Sequence, residues 1–486
     1  MMDFMATLQP TIFVLFGATG DLAKRMVLPS FYQLFVEGLL PEKWLLIGNG
    51  RHQTSDDEFR DHVHSSIEDF GSDLGDEKWD GFAERLRFAG NGFTPEDAGD
   101  LPSVVEAGRK EIGDAQLVHY LALPPNTFVE YTTALGAHGL ADGARVVYEK
   151  PFGTSQKAFE QLDRVVHDVL DEKQVYRIDH FLGKEATQNL HVLRFANGMI
   201  SGIWNAEHIE QVQIDVPETL DIDDRAEFYD ATGAVLDMLV THLFQVAAEI
   251  AMETPASLGA DDLQSARETV IGCFRPIDTA EVVLGQYDGY RDVDGVAADS
   301  AVDTFVAAKL WVDTDRWRGV PFLLRTGKML GVGAQRVSLV FRKPTSSPLT
   351  DLPHDGTVLS FDLSGNGEID VAMTVKEPGP AFDLSVGHLS LPLRSVPDAE
   401  PLSPYSRLIL DVLSGDRSLF TRPDGLARVW EVAAPLLNDP PEVQSYEPGS
   451  MGPQGADKLA APCGWLVRCP VHGYHPRRGI SIHAAR

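Results

Sequence analysis

Residues 11–25 read TIFVLFGATGDLAKR, and this stretch decides how the first part of the chain folds. Apart from Thr11, its first six residues are apolar, which is typical of a parallel strand covered on both faces. Gly17 and Gly20 follow at once, and the residues after them suit a helix. The pattern therefore predicts a strand, a tight turn and a helix.

The glycine turn is typical of a dinucleotide-binding site. Its first glycine suits the tight turn, its second lets backbone approach a pyrophosphate, and Ala23 is small enough for the helix to pack on the strand. Backbone N–H groups at the helix start can then hold phosphates. A helix that is preceded by glycines but binds no nucleotide has the same pattern. The apolar strand before the glycines is what favours a dinucleotide-binding site. The residues predicted to bind the cofactor here are Gly17, Thr19, Gly20, Asp21 and Leu22.

The end of the second predicted strand, residues 44–47, bears on the choice of cofactor. The sequence continues GNGR at 48–51, without the carboxylate that usually grips the ribose hydroxyls in NAD-selective sites. Arg51 can pair instead with the 2′-phosphate of NADP, although a solvated loop arginine has the same appearance. The pattern favours NADP and leaves NAD open.

Predicted strands and helices alternate through the first third of the chain. A helix is expected over 27–38, and strands over 117–123 and 146–148. Further on, a helix over 184–195 and an almost wholly apolar, buried helix over 233–251 precede strands that alternate in period two. The sequence predicts an α/β Rossmann-like doubly wound coenzyme domain at 1–177, a larger β+α domain with a mostly antiparallel sheet at 178–465, and a disordered tail at 466–486.

Length and composition limit the function classes. The 486 residues, 43% hydrophobic, suffice for two cores. No apolar run approaches the roughly 18 residues of a membrane helix and no signal-peptide pattern opens the chain, so we expect a cytoplasmic protein without a membrane partner. The formal charge of −31 disfavours nucleic acid and requires a locally basic pocket for any anionic ligand. The three cysteines lack zinc-ligand spacing, so no metal is expected.

Several longer blocks follow the glycine turn in order. They read EKPFG at 149–153, RIDHFLGKE at 177–185, NLHVLRFAN at 189–197, FYDATGAVLDM at 228–238 and GVPFLLRTGK at 319–328. Together with GATGDLAKR they resemble glucose-6-phosphate dehydrogenases over roughly 450 residues, a far more specific match than one motif gives.

This resemblance implies an activity and an assembly. The activity is oxidation of β-D-glucose 6-phosphate at C1 to 6-phosphoglucono-1,5-lactone, with hydride transfer to NADP alone or to both NADP and NAD. This reaction is the first step of the oxidative pentose phosphate pathway. The resemblance also implies a Rossmann-like coenzyme domain, a larger β+α domain, and homodimers or homotetramers built on the larger sheet.

The resemblance assigns the acid–base chemistry to His242 and Asp179. Oxidising a hemiacetal needs a base for the C1 hydroxyl proton, and histidine suits this role because its unperturbed pKa lies near the working pH. Without the resemblance, a core histidine bonded to a backbone carbonyl is the alternative for His242, which stands on the apolar predicted helix. A carboxylate orients such a ring and stabilises its protonated form, and the resemblance gives this role to Asp179.

The resemblance also assigns residues to substrate binding. His180 and Lys184 are four residues apart and can grip one phosphate if their segment is helical, although an ordinary polar helix face is the alternative. Lys150 is expected to contact the sugar near the reacting carbon and to belong to the cofactor site, with a cis bond before Pro151. The residues expected to hold the sugar itself are Glu218, Asp237 and Lys328.

Three departures from the family pattern leave the sugar specificity open. Phe181 stands where the family usually has tyrosine, Met26 replaces a lysine, and residues 240–241 read VT in place of QN. These changes are compatible with a paralogue that oxidises another phosphorylated or amino hexose. A catalytically silent NADP-binding sensor is the other alternative, which the presence of both the predicted base and its partner disfavours.

Overall fold

The computed structural model describes residues 8–71, 75, 77–222, 225–349, 352–353 and 356–468, which form two compact units. The first comprises the described residues up to Gly183 together with Pro255–Ser265 and Leu402–Ala427. The second comprises Lys184–Thr254, Ala266–Pro401 and the described residues from Arg428 onward. Unlike the predicted domains, 1–177 and 178–465, both units are discontinuous in sequence.

The first unit is built on a six-stranded parallel sheet. Its strands are β1 Thr11–Phe16, β2 Trp44–Asn49, β3 Leu86–Ala89, β4 Gln116–Leu121, β5 Arg145–Tyr148 and β6 Val175–Arg177. They lie in the order β3-β2-β1-β4-β5-β6, which reverses direction between β1 and β4 as in doubly wound dinucleotide-binding folds. The predicted Rossmann-like class is confirmed.

Helices connect these strands. They are α1 Leu28–Val36, α2 Asp56–Phe70, α3 Trp79–Ala83, α4 Leu101–Ile112, α5 Phe128–Ala137 and α6 Gln156–Val169, with a π-helical turn at Ala23–Val27 and 3₁₀ turns at Pro125–Thr127 and Glu172–Gln174. All residues of β1 and β2 are buried, which explains their apolar runs. A capping box starts α2, because Ser55 Oγ accepts the Glu58 N–H at 3.2 Å and Glu58 Oε2 accepts the Ser55 N–H at 2.9 Å.

The second unit is built on a nine-stranded mixed sheet. Its strands are β7 Ile209–Pro217, β8 Val282–Tyr287, β9 Phe305–Leu310, β10 Phe322–Gly327, β11 Arg336–Phe341, β12 Thr357–Asp362, β13 Glu368–Lys376, β14 Leu384–Pro392 and β15 Val443–Tyr446. They lie in the order β14-β13-β12-β11-β7-β10-β9-β8-β15. The neighbours β7 and β10 are parallel, as are β8 and β15, and the other pairs are antiparallel. The sheet is mostly antiparallel, as predicted.

The helices from residue 184 onward complete the fold. They are α7 Glu185–Ala196, α8 Gly198–Ile203, α9 Ala226–Ala234, α10 Phe244–Ala251, α11 Ala260–Gly272, α12 Pro404–Ser414, α13 Pro423–Asn438 and α14 Gly455–Leu459, with a π-helical stretch at Val235–Leu243 and 3₁₀ turns at Thr279–Glu281, Tyr290–Asp292 and Leu393–Ser395. Of these, α12 lies in the first unit.

The helix predicted over 233–251 is buried, as expected, but it is not one regular α-helix. Gly233 interrupts it with φ 64° and ψ 177°, and the π-helical stretch follows before α10 begins. By length and composition Ala226–Ala251 could cross a membrane, yet 89% of its most apolar window is buried inside the protein. The segment therefore serves as a core helix.

The predicted tail, 466–486, begins with residues that are held in the second unit. The Leu466 N–H donates to Gln213 Oε1 at 3.0 Å, and the Val467 carbonyl accepts from Arg325 at 2.8 Å. Arg325 also lies 4.3 Å from the Trp465 ring centroid. The first residues of the predicted tail are therefore ordered, and residues 469–486 lie outside the described residues.

Candidate active site

The glycine turn follows β1 at the point where the strand order reverses. Gly17 has φ 72°, and a Cβ there would lie 2.4 Å from the Ala122 carbonyl oxygen, so no other residue fits. The Gly17 and Ala18 N–H groups donate to the Asn49 carbonyl at 3.1 and 3.2 Å, and the Gly20 N–H donates to the Gly17 carbonyl at 2.9 Å. The turn is thus pinned between β2 and β4, where doubly wound folds bind dinucleotides.

The remaining residues of the predicted cofactor turn lie near the surface. Thr19 and Asp21 are exposed, and Leu22 is half-buried before the π-helical turn. Asp21 pairs with Arg25 at 2.9 Å. The helix start is therefore open to solvent, as phosphate binding requires.

Arg51 follows the carboxyl end of β2. Its side chain is exposed. Burial raises the pKa of the nearby Tyr131 phenol, and the Arg51 guanidinium acts in the opposite direction. The loop is held by Asn49, whose amide donates to the Ala89 carbonyl at 2.9 Å. Arg51 is therefore placed beside the cofactor turn on a fixed loop.

Lys150, Asp179 and His180 follow the ends of β5 and β6. These strands are parallel neighbours, so their carboxyl ends meet at one edge of the first sheet. The Lys150–Pro151 bond is cis, as expected from the resemblance. Asp179 is buried, and its Oδ1 accepts the Phe181 N–H at 2.9 Å. That bond fixes the carboxylate within its own turn.

Glu149, beside Lys150, lies in a cluster that the sequence did not reveal. Its buried carboxylate accepts a hydrogen bond from the Tyr120 hydroxyl at 2.5 Å. Burial raises the pKa of Glu149 to about 7, while the Tyr120 hydrogen bond, the Lys150 charge and the nearby Tyr405 hydroxyl act against that rise.

In the second unit, Glu218 and Lys328 each follow the end of a strand. The strands are the parallel neighbours β7 and β10, in which Pro217 pairs with Gly327, so the two side chains emerge side by side and form an ion pair. The loops are tied together, because the Leu330 N–H donates to the Glu218 carbonyl at 2.9 Å. The structure brings these two predicted residues together.

Asp237 belongs to the same cluster through Tyr229. The Lys328 ammonium lies 5.7 Å from the Tyr229 ring centroid. Burial raises the pKa of the Tyr229 phenol, and Asp237, Asp303 and Glu218 raise it further by their charges. The three residues predicted to hold the sugar therefore all lie near one buried tyrosine, and a group of carboxylates and an ammonium suits a ligand rich in hydroxyl groups.

His242 is fully buried in the π-helical stretch. In a π-helix, hydrogen bonds join residues i and i+5, so side chains five residues apart lie near each other on one face. In an α-helix, side chains five residues apart point in different directions. Asp237 and His242 are five apart, so the π-helical stretch turns both toward one side. The side chain of Thr241 donates to the Asp237 carbonyl at 2.6 Å.

Lys184 does not stand on a helix face with His180. Helix α7 begins at Glu185, and residues 180–183 form a turn. The buried Lys184 ammonium donates to Gln335 Oε1 and, at 3.1 Å, to the Leu363 carbonyl. The helical condition behind the predicted phosphate grip is therefore not met.

Asp179 and His242 lie in different units, so their predicted pairing stays a prediction. Within the units, sequence reasoning missed Tyr120, Tyr229 and Tyr405. Tyr229 stands inside the block FYDATGAVLDM and could have been singled out as its one phenol. Tyr405 lies far from the other blocks and gave no signal.

The doubly wound sheet with its glycine turn is typical of the dinucleotide-dependent dehydrogenase class. Family models described as "Glucose-6-phosphate dehydrogenase, NAD binding domain" and "Glucose-6-phosphate dehydrogenase, C-terminal domain" match residues 14–189 and 191–466. The chain therefore belongs to the glucose-6-phosphate dehydrogenase family, which confirms the resemblance.

Individual relatives match over nearly the whole chain. One from Arabidopsis thaliana, named glucose-6-phosphate 1-dehydrogenase 6, cytoplasmic, is 34% identical and covers 95% of this chain and 92% of its own. One from Solanum tuberosum, named glucose-6-phosphate 1-dehydrogenase, chloroplastic, is 34% identical and covers 92% and 81%. A solved glucose-6-phosphate dehydrogenase in complex with its substrate glucose-6-phosphate is 29% identical, with a TM-score of 0.86 and coverage of 95% and 100%.

Proposed function

We propose that this enzyme oxidises β-D-glucose 6-phosphate at C1 to 6-phosphoglucono-1,5-lactone, the first step of the oxidative pentose phosphate pathway, with NADP as the hydride acceptor. The observation that carries the proposal is that the ion pair of Glu218 and Lys328 lies near Tyr229, and that Tyr229 and Asp237 belong to the same segment as the buried His242. Carboxylates that accept from hydroxyls discriminate strongly against sugars lacking them.

In the proposed mechanism, His242 is the general base that accepts the proton of the C1 hydroxyl. As the substrate C1–H bond breaks, the O–H proton passes to the imidazole and the C1 oxygen forms its double bond to carbon. Asp179, fixed by the Phe181 N–H, orients the imidazole and stabilises its protonated form. When bound, the nicotinamide cofactor accepts the hydride.

The cofactor site in the proposal uses the glycine turn, Arg51 and Lys150. The close approach of Ala122 at Gly17 and the exposed helix start fit a pyrophosphate on backbone N–H groups. Arg51, with no carboxylate at the end of β2, suits a 2′-phosphate. NADP is thus preferred, and NAD is the second cofactor to be assayed.

For the substrate, His180 and Lys184 are proposed to hold the phosphate and Lys150 to contact the sugar. Lys150 and His180 follow neighbouring strands. The proposed phosphate-binding role of Lys184 rests on the family match alone, since its ammonium donates to Gln335 and Leu363.

A second candidate is oxidation of another phosphorylated or amino hexose. Phe181 is 2% exposed and offers no hydroxyl, and Met26 is 38% exposed where the family has a cation. Steady-state kinetics across hexose 6-phosphates and 2-amino-2-deoxy hexose 6-phosphates, with NADP and NAD, test both candidates. The highest kcat/KM on glucose 6-phosphate with NADP is expected, and a higher kcat/KM on another sugar would replace the proposed substrate.

We also propose a cytoplasmic homo-oligomer joined through the larger sheet. The edge pair β13 and β14 exposes Met373, Val375, Leu389 and Leu391 on one face, because directly opposed residues share a face and alternate positions repeat it. An apolar patch of this kind is typical of an interface. Leu389→Glu is expected to shift the mass measured by light scattering toward the monomer, whereas an unchanged mass would place the interface elsewhere.

A further inference from the structure

Asp303 caps the helical segment that carries the proposed base, although it belongs to a distant part of the chain. The backbone leaves the helical conformation at Gly233 and the π-helical stretch begins just after it. The Ala234 N–H donates to the Asp303 carbonyl at 2.9 Å, and the Val235 N–H donates to Asp303 Oδ2 at 2.8 Å. The first N–H groups of a helix have no partner within it, so Asp303 supplies the acceptors that the segment itself lacks.

Asp303 and Gly233 also pack closely against each other. A Cβ on Gly233 would lie 2.8 Å from Asp303 Oδ1 and 3.0 Å from the Asp303 carbonyl oxygen. No side chain fits between the two residues. The start of the segment is therefore fixed by two hydrogen bonds and by close packing, all with one residue.

The residue after Asp303 is tied to the loop that carries Lys328. The buried Thr304 donates its N–H to the Gly285 carbonyl at 2.7 Å, and its carbonyl accepts the Lys328 N–H at 2.9 Å. The Thr304 hydroxyl lies 2.9 Å from the Tyr446 hydroxyl, which donates to the Lys328 carbonyl at 2.8 Å. Asp303 and Thr304 therefore connect the start of the π-helical stretch to the Lys328 loop within the second unit.

Asp237 is the proposed site residue that this cap affects most directly. It lies in the first turn of the π-helical stretch, whereas His242 lies in the last turn. The charges of Asp237 and Asp303 both raise the pKa of the buried Tyr229 phenol, so both carboxylates lie near that ring. Loss of the cap should therefore displace Asp237 more than His242.

We propose that Asp303 is a positioning residue for the sugar site, whose side chain caps the π-helical stretch and thereby sets the position of Asp237 relative to Lys328. This inference rests on the proposed function and deepens it, since it names the residue that holds two of the proposed sugar-binding residues in place.

The role requires a hydrogen-bond acceptor rather than a charge. Burial raises the pKa of Asp303 to about 7, and the Val235 N–H acts against that rise. A carboxyl group keeps an oxygen that can accept this N–H in both of its protonation states. The amide oxygen of asparagine can accept it as well, and asparagine caps helices about as well as aspartate. Asparagine at this position should therefore preserve the cap, whereas alanine should not.

The experiment compares Asp303→Ala with Asp303→Asn. Asp278→Ala is the matched control, because Asp278 Oδ1 also caps a helical turn of the second unit, where it accepts the Ala280 N–H at 3.0 Å. Steady-state kinetics with glucose 6-phosphate and NADP are recorded for each variant, together with its melting temperature.

We expect Asp303→Ala to raise the KM for glucose 6-phosphate about fivefold to tenfold, the effect of one lost capping bond, and to lower kcat by about twofold. The KM for NADP should stay unchanged, because the cofactor turn lies in the other unit. Asp303→Asn should restore the sugar KM to within about twofold of wild type. Asp278→Ala should leave both KM values at wild-type values.

Asp303→Glu gives a second test that does not depend on whether Asp303→Ala folds. It keeps the carboxylate but moves it by one methylene group, against the close contact with Gly233. The sugar KM should rise in this variant too, again with the KM for NADP unchanged.

Three results would overturn the inference while leaving the proposed function intact. They are a wild-type sugar KM in Asp303→Ala or in Asp303→Glu, an equal rise in the KM values for sugar and NADP, and a failure of Asp303→Asn to restore the sugar KM. The last two are what a purely structural role predicts. Absence of wild-type turnover on glucose 6-phosphate would instead overturn the proposed function, and this inference with it.

Discussion

The two units bring their predicted binding residues together in different ways. In the first, the cofactor turn is a continuous stretch whose shape follows from Gly17 and its neighbours. In the second, Glu218, Asp237 and Lys328 come from separate elements and meet only because β7 and β10 are parallel neighbours beside a buried helix. A proposed cofactor site of this kind can be found by its local motif, whereas the residues of the proposed sugar site are brought together only by the fold.

Two buried glutamates show the same contrast in electrostatics. Glu149 in the first unit faces phenols, and burial raises its pKa to about 7. Glu249 in the second unit is also buried, but it pairs with Arg267 and His191, which bring its pKa down to about 2. Burial raises the pKa of both carboxylates, and the neighbouring charges decide whether the net pKa shift is upward or downward.

The largest expected effect is a loss of turnover without a loss of cofactor binding, because the proposed base and the cofactor turn lie in different units. His242→Asn should lower kcat about a thousandfold, the typical contribution of a general base, while NADP binding stays at the wild-type affinity. Stopped-flow or steady-state absorbance at the NADPH band measures turnover, and fluorescence titration measures binding. Already negligible wild-type turnover, unchanged in the variant, would instead favour an NADP-binding sensor.

The next largest expected effect is a difference in stability between variants of the two buried glutamates. Glu249→Gln leaves Arg267 and His191 buried without their charged partner and should cost about 3 kcal/mol of folding free energy at pH 8. Glu149→Gln should cost less, since Lys150 is the one cation that acts on its carboxylate among the residues that the structure describes. Thermal melts of both variants measure the difference, and equal losses would refute the contrast.

The same pair predicts a pH dependence. The folded-state pKa of Glu249, about 2, lies below the usual glutamate value of 4.5, so its stabilisation is full above pH 4.5 and is lost as pH falls toward 2. The pKa of Glu149 is raised to about 7, so its contribution declines as pH rises from 4.5 to 7. Melts of Glu249→Gln should therefore approach wild-type values in acid.

Two glycines test the turn of each unit. Gly17→Ala places a Cβ 2.4 Å from the Ala122 carbonyl oxygen, and Gly233→Ala places one 2.8 Å from Asp303 Oδ1, both at positive φ. Each should cost about 1–3 kcal/mol. Gly17→Ala should chiefly raise the KM for NADP and Gly233→Ala that for glucose 6-phosphate. If each variant changed the KM values for NADP and for glucose 6-phosphate equally, the assignment of cofactor binding to the first unit and sugar binding to the second would be contradicted.

The smallest effect concerns cofactor choice. Arg51→Ala should weaken NADP binding about tenfold, the loss of one charge-assisted contact, and leave NAD binding unchanged. Kinetics with both cofactors measure this. Retained NADP preference would assign the 2′-phosphate to another group.

Much of the fold was predictable, because the apolar runs of β1 and β2 and the alternating strands from β11 to β14 are local patterns. The glycine turn was predictable for the same reason. The π-helical stretch was not, because its apolar composition fits an α-helix equally well. Neither was the return of α12 to the first unit, and with it Tyr405, since that depends on contacts between distant segments.

The central claim is that Asp179 and His242 act as one unit, and a double-mutant cycle tests it most directly. Single Asp179→Asn and His242→Asn variants and the double variant are compared by kcat at saturating glucose 6-phosphate and NADP. If the carboxylate works through the imidazole, the double variant is no slower than His242→Asn alone. Losses that multiply would show that the two residues act independently and would contradict the account.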